Sequence, residues 1–249
     1  MGAEAIDPQT IRNVTILGEP SETAPVVHRL LRRATGAQPT LHWVTDRVEH
    51  IIRIGERPSG SPIPDLERSI RTADAVVAVV DATLRNAARL DTVLRIADDH
   101  QVARLCLIDG LDRLGADFDH CVRAIAATRG AMPVVLQLPM GVGADFDGVI
   151  DLIPTGATEP VTAEFPGSHG ETAERWYRRL VRTVLEQDTA ESVRQLHRRI
   201  RERTRIGDVV PILCGAPPRT EDITPLLDAI TRCLPSPMDV CQPEHVLDY

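Results

Sequence analysis

Short apolar segments that alternate with helical patterns constrain the fold of this chain more than any other feature of the sequence. Four such segments cover residues 12–17, 50–54, 75–80 and 103–108, and each precedes a stretch with helical periodicity. The third reads Ala-Val-Val-Ala-Val-Val, which is typical of a strand that is buried on both faces. Because strands of this kind alternate with helices, the sequence predicts an α/β fold with a parallel-rich sheet sandwiched by helices.

A change of pattern past the middle of the chain predicts an insertion into this α/β domain. A stretch rich in Gly, Pro and Thr leads into two helical patterns at residues 171–186 and 190–203, before a strand pattern returns at 209–213. The chain is therefore expected to have an α/β domain, an inserted helical subdomain and a tail. Their predicted bounds are residues 1–153 with 208–240, residues 154–207, and residues 241–249.

Basic residues are concentrated in the predicted insertion. Residues 171–206 contain ten arginines and six acidic residues, a local charge of +4, whereas the whole chain carries −8 and the remainder therefore −12. Two interpretations stay open: the arginines pair with acidic neighbours on a solvated helical pair, or they form a docking face for an acidic protein partner. Five arginines at three- and four-residue spacings are the candidate partner-binding residues: Arg178, Arg182, Arg194, Arg198 and Arg201.

The composition argues against several classes of function. A net charge of −8 disfavours generic nucleic-acid binding, and no apolar run reaches the length of about twenty residues that a membrane span needs. We therefore expect no membrane partner and a cytoplasmic location. The five cysteines include no Cys-x-x-Cys pair, and no two histidines have the spacing of metal ligands on one helix face. The sequence predicts neither a metal site nor a catalytic residue.

The chain contains no lysine, and all 28 of its basic residues are arginines. Lysine is normally among the commonest residues, so its absence removes every reaction or contact that needs a side-chain amine. Two explanations stay open. One is replacement of lysine by arginine in a GC-rich genome; the other is protection of an accessory protein of a specialised pathway from amine-reactive chemistry or lysine-directed tagging.

Two segments in the second half of the chain carry a family resemblance. Residues 112–152 begin Asp-Arg-Leu-Gly-Ala-Asp-Phe, and residues 209–240 contain Pro-Leu-Leu-Asp-Ala-Ile and Leu-Pro-Ser-Pro. Both are similar to the GTPase domain of translation elongation factor G, a plan shared by ribosomal-protection tetracycline-resistance factors. The resemblance implies a P-loop-NTPase-like (Rossmann-like) fold, GTP with Mg²⁺ as the family's cofactor, and an inserted subdomain that faces the ribosomal stalk.

The phosphate-binding loop of that family is altered at most positions here. Its pattern is G-x-x-x-x-G-K-[ST], in which backbone N–H groups cradle phosphates while Lys and Ser/Thr serve the β/γ-phosphates and Mg²⁺. Residues 18–25 of this chain read Gly-Glu-Pro-Ser-Glu-Thr-Ala-Pro. The two glutamates, Glu19 and Glu22, would repel phosphate, and the two prolines remove N–H donors. Gly18, Ser21 and Thr23 are the remaining candidate positions of this site.

The guanine-recognition elements are degenerate too. Asn-Lys-x-Asp is replaced by Asp-Gly-Leu-Asp, in which Asp112 is retained and Asp109 stands in place of the amide. The family's later Ser-Ala element becomes Ala-Pro, beginning at Ala216. Asp112 could still accept hydrogen bonds from a guanine edge, whereas Asp109 cannot donate as an Asn does.

The two switch elements are eroded as well. In place of the family's Asp-Thr-Pro-Gly-His the chain has Gly-Glu-Arg-Pro-Ser-Gly-Ser, where Glu56 is a candidate for the acid that holds Mg²⁺ through water. About 11 residues separate Trp43 from Gly55, too few for both the first switch and a hairpin.

These losses predict a stand-alone pseudoGTPase, a noncatalytic binding or regulatory module without a cofactor. Its expected partner is a protein, either acidic and ribosome-associated or dedicated to this chain. The alternative is a divergent GTP-binding protein or GTPase that uses arginines in place of lysines, since guanidinium groups bind phosphate bidentately. Arg12, Arg29 and Arg57 are the candidates for such contacts.

Overall fold

The computed structural model describes residues 7–32, 39–85, 87–153, 169–187, 189–190, 192–215 and 223–240. These residues form a seven-stranded sheet and a separate two-stranded sheet. The large sheet contains β1 (Ile11–Gly18), β2 (Thr40–Thr45), β3 (Val48–Pro58), β4 (Ala75–Asp81), β5 (Ala103–Asp109), β6 (Pro133–Val135) and β9 (Val210–Cys214). The small sheet is the antiparallel pair β7 (Gln137–Met140) and β8 (Gly148–Asp151).

The large sheet has the strand order β2-β3-β1-β4-β5-β9-β6. Its edge strand β2 is antiparallel to β3, and the other five pairings are parallel. Strands β4 and β5 are in a register that places Asp81 beside Asp109. The carboxyl ends of β1, β3, β4, β5 and β9 therefore meet along one side of the sheet, which we call the carboxyl edge.

Helices cover both faces of the large sheet. They are α1 (Pro20–Leu31), α2 (Ile63–Arg71), α3 (Ala87–Asp99), α4 (Phe118–Ala127), α5 (Gly170–Leu185), α6 (Val193–Arg205), α7 (Thr224–Cys233) and α8 (Pro237–Val240). On β1, the side chain of Arg12 reaches Thr231 of α7, whereas that of Thr15 reaches Ser69 of α2 on the opposite face. Helix α3 packs beside α2, and α4 packs beside α3, on the same face of the sheet as α2. Helix α6 packs against α7 and α5.

The centre of the sheet is fully buried. Every residue of β4 and of β5 is buried, as the uncharged apolar runs predict, and this confirms the α/β expectation. The one strong base in these two strands, Arg104, has no exposed surface. Its guanidinium donates to the carbonyls of Gly130 (2.9 Å) and Gly207 (2.8 Å) and lies 2.9 Å from the Asp98 carboxylate. Because Gly207 follows α6, this buried group fastens the end of α6 to the sheet.

One local expectation is wrong: the first helical pattern predicts a helix at about residues 25–34, whereas α1 begins at Pro20. Proline suits the first turn of a helix, and the Glu22 carboxylate accepts the Glu19 N–H (3.0 Å). The residues between Trp43 and Gly55 form a hairpin, for which their number is sufficient when no first switch is included. Its two-residue turn has positive φ angles of 52° at Asp46 and 68° at Arg47, as a tight hairpin between twisted strands requires.

Helices α5 and α6 lie between β8 and β9, where the sequence predicts an insertion. The bounds 154–207 of a separate subdomain stay a prediction, and the predicted tail at residues 241–249 lies outside the described residues. Among the helices of the described ranges, none is both long and apolar enough to cross a membrane.

Candidate functional site

Folds of this topology bind ligands at the carboxyl edge, next to the strand where the strand order reverses. That strand is β1: β2 and β3 lie on one side of it, and β4 and β5 lie on the other. Here only Glu19 separates the end of β1 from the start of α1. Ser21 and Thr23 therefore lie within the first turns of α1 and not in a loop. The N–H groups of Glu22 and Thr23 both donate to the Glu19 carbonyl at 2.9 Å. Backbone donors that would face a phosphate in a loop are used inside the helix.

Close packing fills the space beneath this helix. Thr23 has no exposed surface, and its hydroxyl donates to Oε1 of Glu56 on β3 at 2.6 Å. A Cβ on Gly18 would lie 2.9 Å from Cγ2 of Thr23 and 3.0 Å from the Val79 carbonyl oxygen, so glycine permits the close approach of β1, β4 and α1. Glu56, the candidate Mg²⁺-holding acid, accepts a hydrogen bond from α1.

Arginines and carboxylates pair with each other across the carboxyl edge. Arg89 of α3 pairs with Glu19, and Arg113 from the loop after β5 pairs with Asp81 at the end of β4. A terminal nitrogen of Arg29 on α1 lies 4.0 Å from the Asp109 carboxylate. These three guanidinium groups therefore face carboxylates of the protein itself. The pairs connect α1 to β5, α3 to the residue before α1, and the loop after β5 to β4.

Burial also makes negative charge costly at this edge. It raises the pKa of the Asp109 carboxyl to about 6, although Arg29 and the Gly110 N–H oppose that shift. Burial likewise raises the pKa of Glu22. A region whose own carboxylates are difficult to ionise disfavours an added polyphosphate.

Little empty volume remains between these groups. The cavity at the carboxyl edge measures about 30 Å³ and is lined by residues that include Gly18, Glu19, Glu22, Asp81 and Arg89. Such a volume holds about two water molecules. This volume is about a tenth of the smallest typical ligand pocket.

The degenerate guanine-recognition segment has its own geometry. Gly110 adopts a left-handed conformation with φ +78°, and a Cβ there would lie 2.9 Å from Nε of Arg113. Asp112 has a buried carboxylate oxygen, Oδ1, which has no hydrogen-bond partner within the described residues. That oxygen is an acceptor suited to a donor such as a guanine edge. The predicted site position Ala216 lies outside the described residues.

The structure separates the three arginines considered as replacements for lysine. Arg12 lies at the amino end of β1, the opposite side of the sheet, where it is fully buried and donates to the Thr231 carbonyl. Arg57 donates to the hydroxyl of Ser69 on α2 (3.0 Å). Arg57 lies near the carboxyl end of β3, but Arg29 is the member of the three whose guanidinium lies 4.0 Å from a carboxylate at the carboxyl edge.

Helix α5 carries an exposed set of arginines at positions i, i+3, i+4 and i+7, which therefore share one face. Glu174 pairs with one of them, Arg178, and the guanidinium carbon of Arg179 lies 5.1 Å from the ring centroid of Trp176. Such a contact is a cation–π interaction. We call this set the α5 arginine row; it consists of Arg175, Arg178, Arg179 and Arg182.

The candidate arginines on α6 divide into two groups. Arg194 and Arg198 are exposed, and Nε of Arg198 lies 3.8 Å from Glu202. Arg201 is half-buried and lies 2.7 Å from the carboxylate of Asp239, which also accepts the Ser236 N–H. Arg201 thus fastens α6 to α8, so it is less available to a partner than the sequence suggests.

Sequence reasoning missed the roles of Arg89 and Arg113. The residues they pair with are 70 and 32 positions away in the chain. The available signal was topological. Asp81 ends β4 and Arg113 comes shortly after β5, and because these neighbouring strands are parallel, both residues lie at the same edge. For α1, the signal was local, since Pro20 is followed two residues later by Glu22.

Comparison with known proteins agrees with this architecture. The chain matches the family described as Elongation factor Tu GTP binding domain over residues 63–236, well over half of its length. The match begins at α2, so it leaves out β1, α1 and the β2–β3 hairpin.

A crystal structure of a protein from Thermus thermophilus has the same fold, with a TM-score of 0.73 and 18% identity over 93% of this chain. This chain spans 41% of the length of that one. The predicted P-loop-NTPase-like fold and the resemblance to translation GTPases are confirmed. The chain therefore belongs to the family of elongation factor Tu GTP-binding domains.

Proposed function

We propose that this chain is a pseudoGTPase, a GTPase-type domain whose nucleotide site is closed by its own side chains and which acts as a noncatalytic binding module. One observation carries the proposal: β1 continues into α1 through the single residue Glu19. The loop that wraps a nucleotide's phosphates in this family has no place in that connection.

The chemistry of the first helical turn supports the same conclusion. Helix N-termini bind phosphate through free N–H groups and a positive dipole end. In α1 the first residue is Pro20, and the N–H groups of Glu22 and Thr23 are already bonded to Glu19. Two carboxylates, those of Glu19 and Glu22, belong to the segment that matches the family's phosphate-binding loop. This turn would therefore repel a phosphate instead of donating hydrogen bonds to it.

The binding role is assigned to the basic surface of α5 and α6. Exposed arginines that face away from an otherwise acidic molecule can steer an acidic partner and fix its orientation. The partner would be a protein, either ribosome-associated or dedicated to this chain. The residues proposed to contact it are Arg178, Arg182, Arg194 and Arg198.

A second candidate function, divergent GTP binding, is favoured by one observation. Oδ1 of Asp112 is buried without a hydrogen-bond partner among the described residues, and a guanine edge would supply the missing donors. Arg29 is close enough to the same edge to contact a phosphate. This alternative requires the first turn of α1 to unwind.

Calorimetric titration with GTP, GDP and ATP in the presence of Mg²⁺ distinguishes the two functions. We expect no binding tighter than about 100 μM for any of the three nucleotides, which corresponds to less than about 5.5 kcal/mol of binding free energy. An active translation GTPase domain, titrated in parallel, is the positive control. A micromolar Kd for GTP, or nucleotide that stays bound through purification, would contradict the proposal.

A further inference from the structure

A second cavity, much larger than the one at the carboxyl edge, lies elsewhere in the described part of the chain. It measures about 430 Å³ and lies between the start of α4, the β7–β8 hairpin and the start of α5. None of its lining residues also lines the small cavity at the carboxyl edge. A volume of this size is in the range of pockets that bind ligands or partner side chains.

The floor of this cleft is apolar and contains two aromatic rings. Trp176 packs edge-on against Phe118, with 6.5 Å between ring centroids and an angle of 72°. Val142, on the hairpin, lines the same cleft and is 40% exposed. A nearby loop presents Leu114, which is 97% exposed. Exposed apolar side chains beside a preformed cleft indicate a surface that a partner covers.

Charge is distributed unevenly around the cleft. Arg175, the first member of the α5 arginine row, lines one wall, and Arg179 of the same row covers the Trp176 ring. The opposite wall carries Asp117, which caps α4 by accepting the His120 N–H, and the exposed Asp119. A ligand in the cleft would therefore be oriented with its negative groups towards α5.

We propose that this cleft binds an acidic amphipathic helix of a partner protein. A bulky apolar side chain of the partner would insert between Trp176 and the hairpin, and carboxylates three and four residues apart would face the α5 arginine row. That row spans eight residues, about 10 Å along α5, which matches two turns of a partner helix. The proposal rests on the partner-binding role above and specifies its site and its ligand.

The test uses a fluorescent synthetic peptide of about 16 residues, long enough to form a helix, with Leu and Phe on one face and Glu along its flank. Binding is measured by anisotropy against the unmodified protein. We expect Arg175→Glu and Val142→Glu each to weaken binding about tenfold or more, as loss of a central contact does. Arg71→Glu, which makes the same charge change on the exposed surface of α2, should change the affinity less than about twofold.

Trp176 supplies a direct readout, because the chain has two tryptophans and a Trp43→Phe variant leaves Trp176 alone. Its emission should shift when the peptide binds, and a scrambled peptide of the same composition should produce no shift. Equal binding of the scrambled peptide, or undiminished binding by Val142→Glu, would overturn the proposal.

Two other occupants of the cleft would also overturn it. If the peptide does not bind and Trp176 is shielded from acrylamide in the free protein, the chain's own residues 154–168 occupy the cleft. If Val142→Glu dissolves a dimer seen by sedimentation, the occupant is a second copy. The proposed function can survive either result, provided that charge reversal on α6 still reduces partner binding and that the nucleotide titrations remain negative.

Discussion

The carboxyl edge of the sheet and the α5–α6 surface use arginine in opposite ways. At the edge, Arg89 and Arg113 pair with carboxylates that the surrounding fold largely buries. On α5 and α6, most arginines point outward, and their ion pairs are local contacts such as that between Arg178 and Glu174. One region pairs its guanidinium groups with carboxylates of the same fold, while the other leaves most of its guanidinium groups at the surface.

The difference also separates the two regions energetically. Removing Arg113 leaves the buried Asp81 carboxylate without that partner, whereas exposed charges on a helix contribute little to folding. Substitutions at the carboxyl edge should therefore change the free energy of unfolding, and those on α5 and α6 should chiefly change binding.

The largest expected effect comes from Thr23→Lys, which introduces a lysine at the position of the family's second phosphate-loop glycine, next to the position of the family's lysine. Because Thr23 has no exposed surface, the new ammonium would be buried, and the pairing available from Glu56 would offset only part of that cost. We expect a loss of about 3 kcal/mol or more in chemical denaturation, and no GTP turnover.

Thr23→Val is the matched control. It keeps the volume of the side chain and removes only the hydrogen bond to Glu56, so it should cost about 1 kcal/mol. A Thr23→Lys protein as stable as the unmodified one, with GTP turnover above background, would show that the edge is more open than we infer.

An intermediate effect is expected for Asp109→Asn, which restores the amide of the guanine-recognition motif. Burial raises the pKa of Asp109 to about 6, so the folded protein binds this proton more tightly than the unfolded chain does. Ionising Asp109 therefore destabilises the fold increasingly as pH rises from about 4 to 6, and the substitution should add on the order of 1–3 kcal/mol at pH 7.

Denaturation of the Asp109→Asn variant at pH 4 and pH 7 checks the sign of the effect. The stability gain should be large at pH 7 and nearly absent at pH 4. Asp147→Asn, on an exposed loop, should show no such dependence. A gain of equal size at both pH values would mean that Asp109 is not destabilised by its charge.

The smallest effect on stability is expected for Arg194→Glu combined with Arg198→Glu. Both side chains are exposed, so the free energy of unfolding should change by less than about 0.5 kcal/mol. Binding of a partner obtained by affinity capture should weaken at least tenfold and become less sensitive to salt.

Arg113→Glu, at the carboxyl edge, is the matched comparison. It should lower the free energy of unfolding by more than about 1 kcal/mol because Asp81 loses its partner.

The layered fold was predictable because each central strand is a run of mainly apolar residues, and such a run is typical of a strand that is buried on both faces. The Val-rich run of β4 and the apolar run of β5 leave no alternative to a sheet covered on both faces. The charge excess of residues 171–206 was equally visible in the composition, and helical spacing predicted Arg178 and Arg182 of the α5 arginine row but not Arg175 and Arg179.

The arrangement of side chains at the carboxyl edge was only half predictable. The altered residues at positions 18–25 were evident, but the family pattern assigned them to a loop, and local preferences at Pro20 and Glu22 favoured a helix. The pairs of Arg89 and Arg113, and the contact of Arg201 with Asp239, join residues remote in sequence. Such contacts depend on the completed topology, so no local pattern could reveal them.

The direct connection of β1 to α1 has a consequence for how such a protein would convey information. In a GTPase, the segments around the γ-phosphate hold one arrangement until hydrolysis releases them, so the hydrolysis rate sets how long the active state lasts. Under the proposed function, the connection through Glu19 and the bond from Thr23 to Glu56 would hold this chain in one arrangement that no hydrolysis step releases. Under the proposed function its output is set by abundance: the cell would adjust the response through synthesis and turnover of the protein, and the lifetime of each complex would follow from the partner's dissociation rate alone.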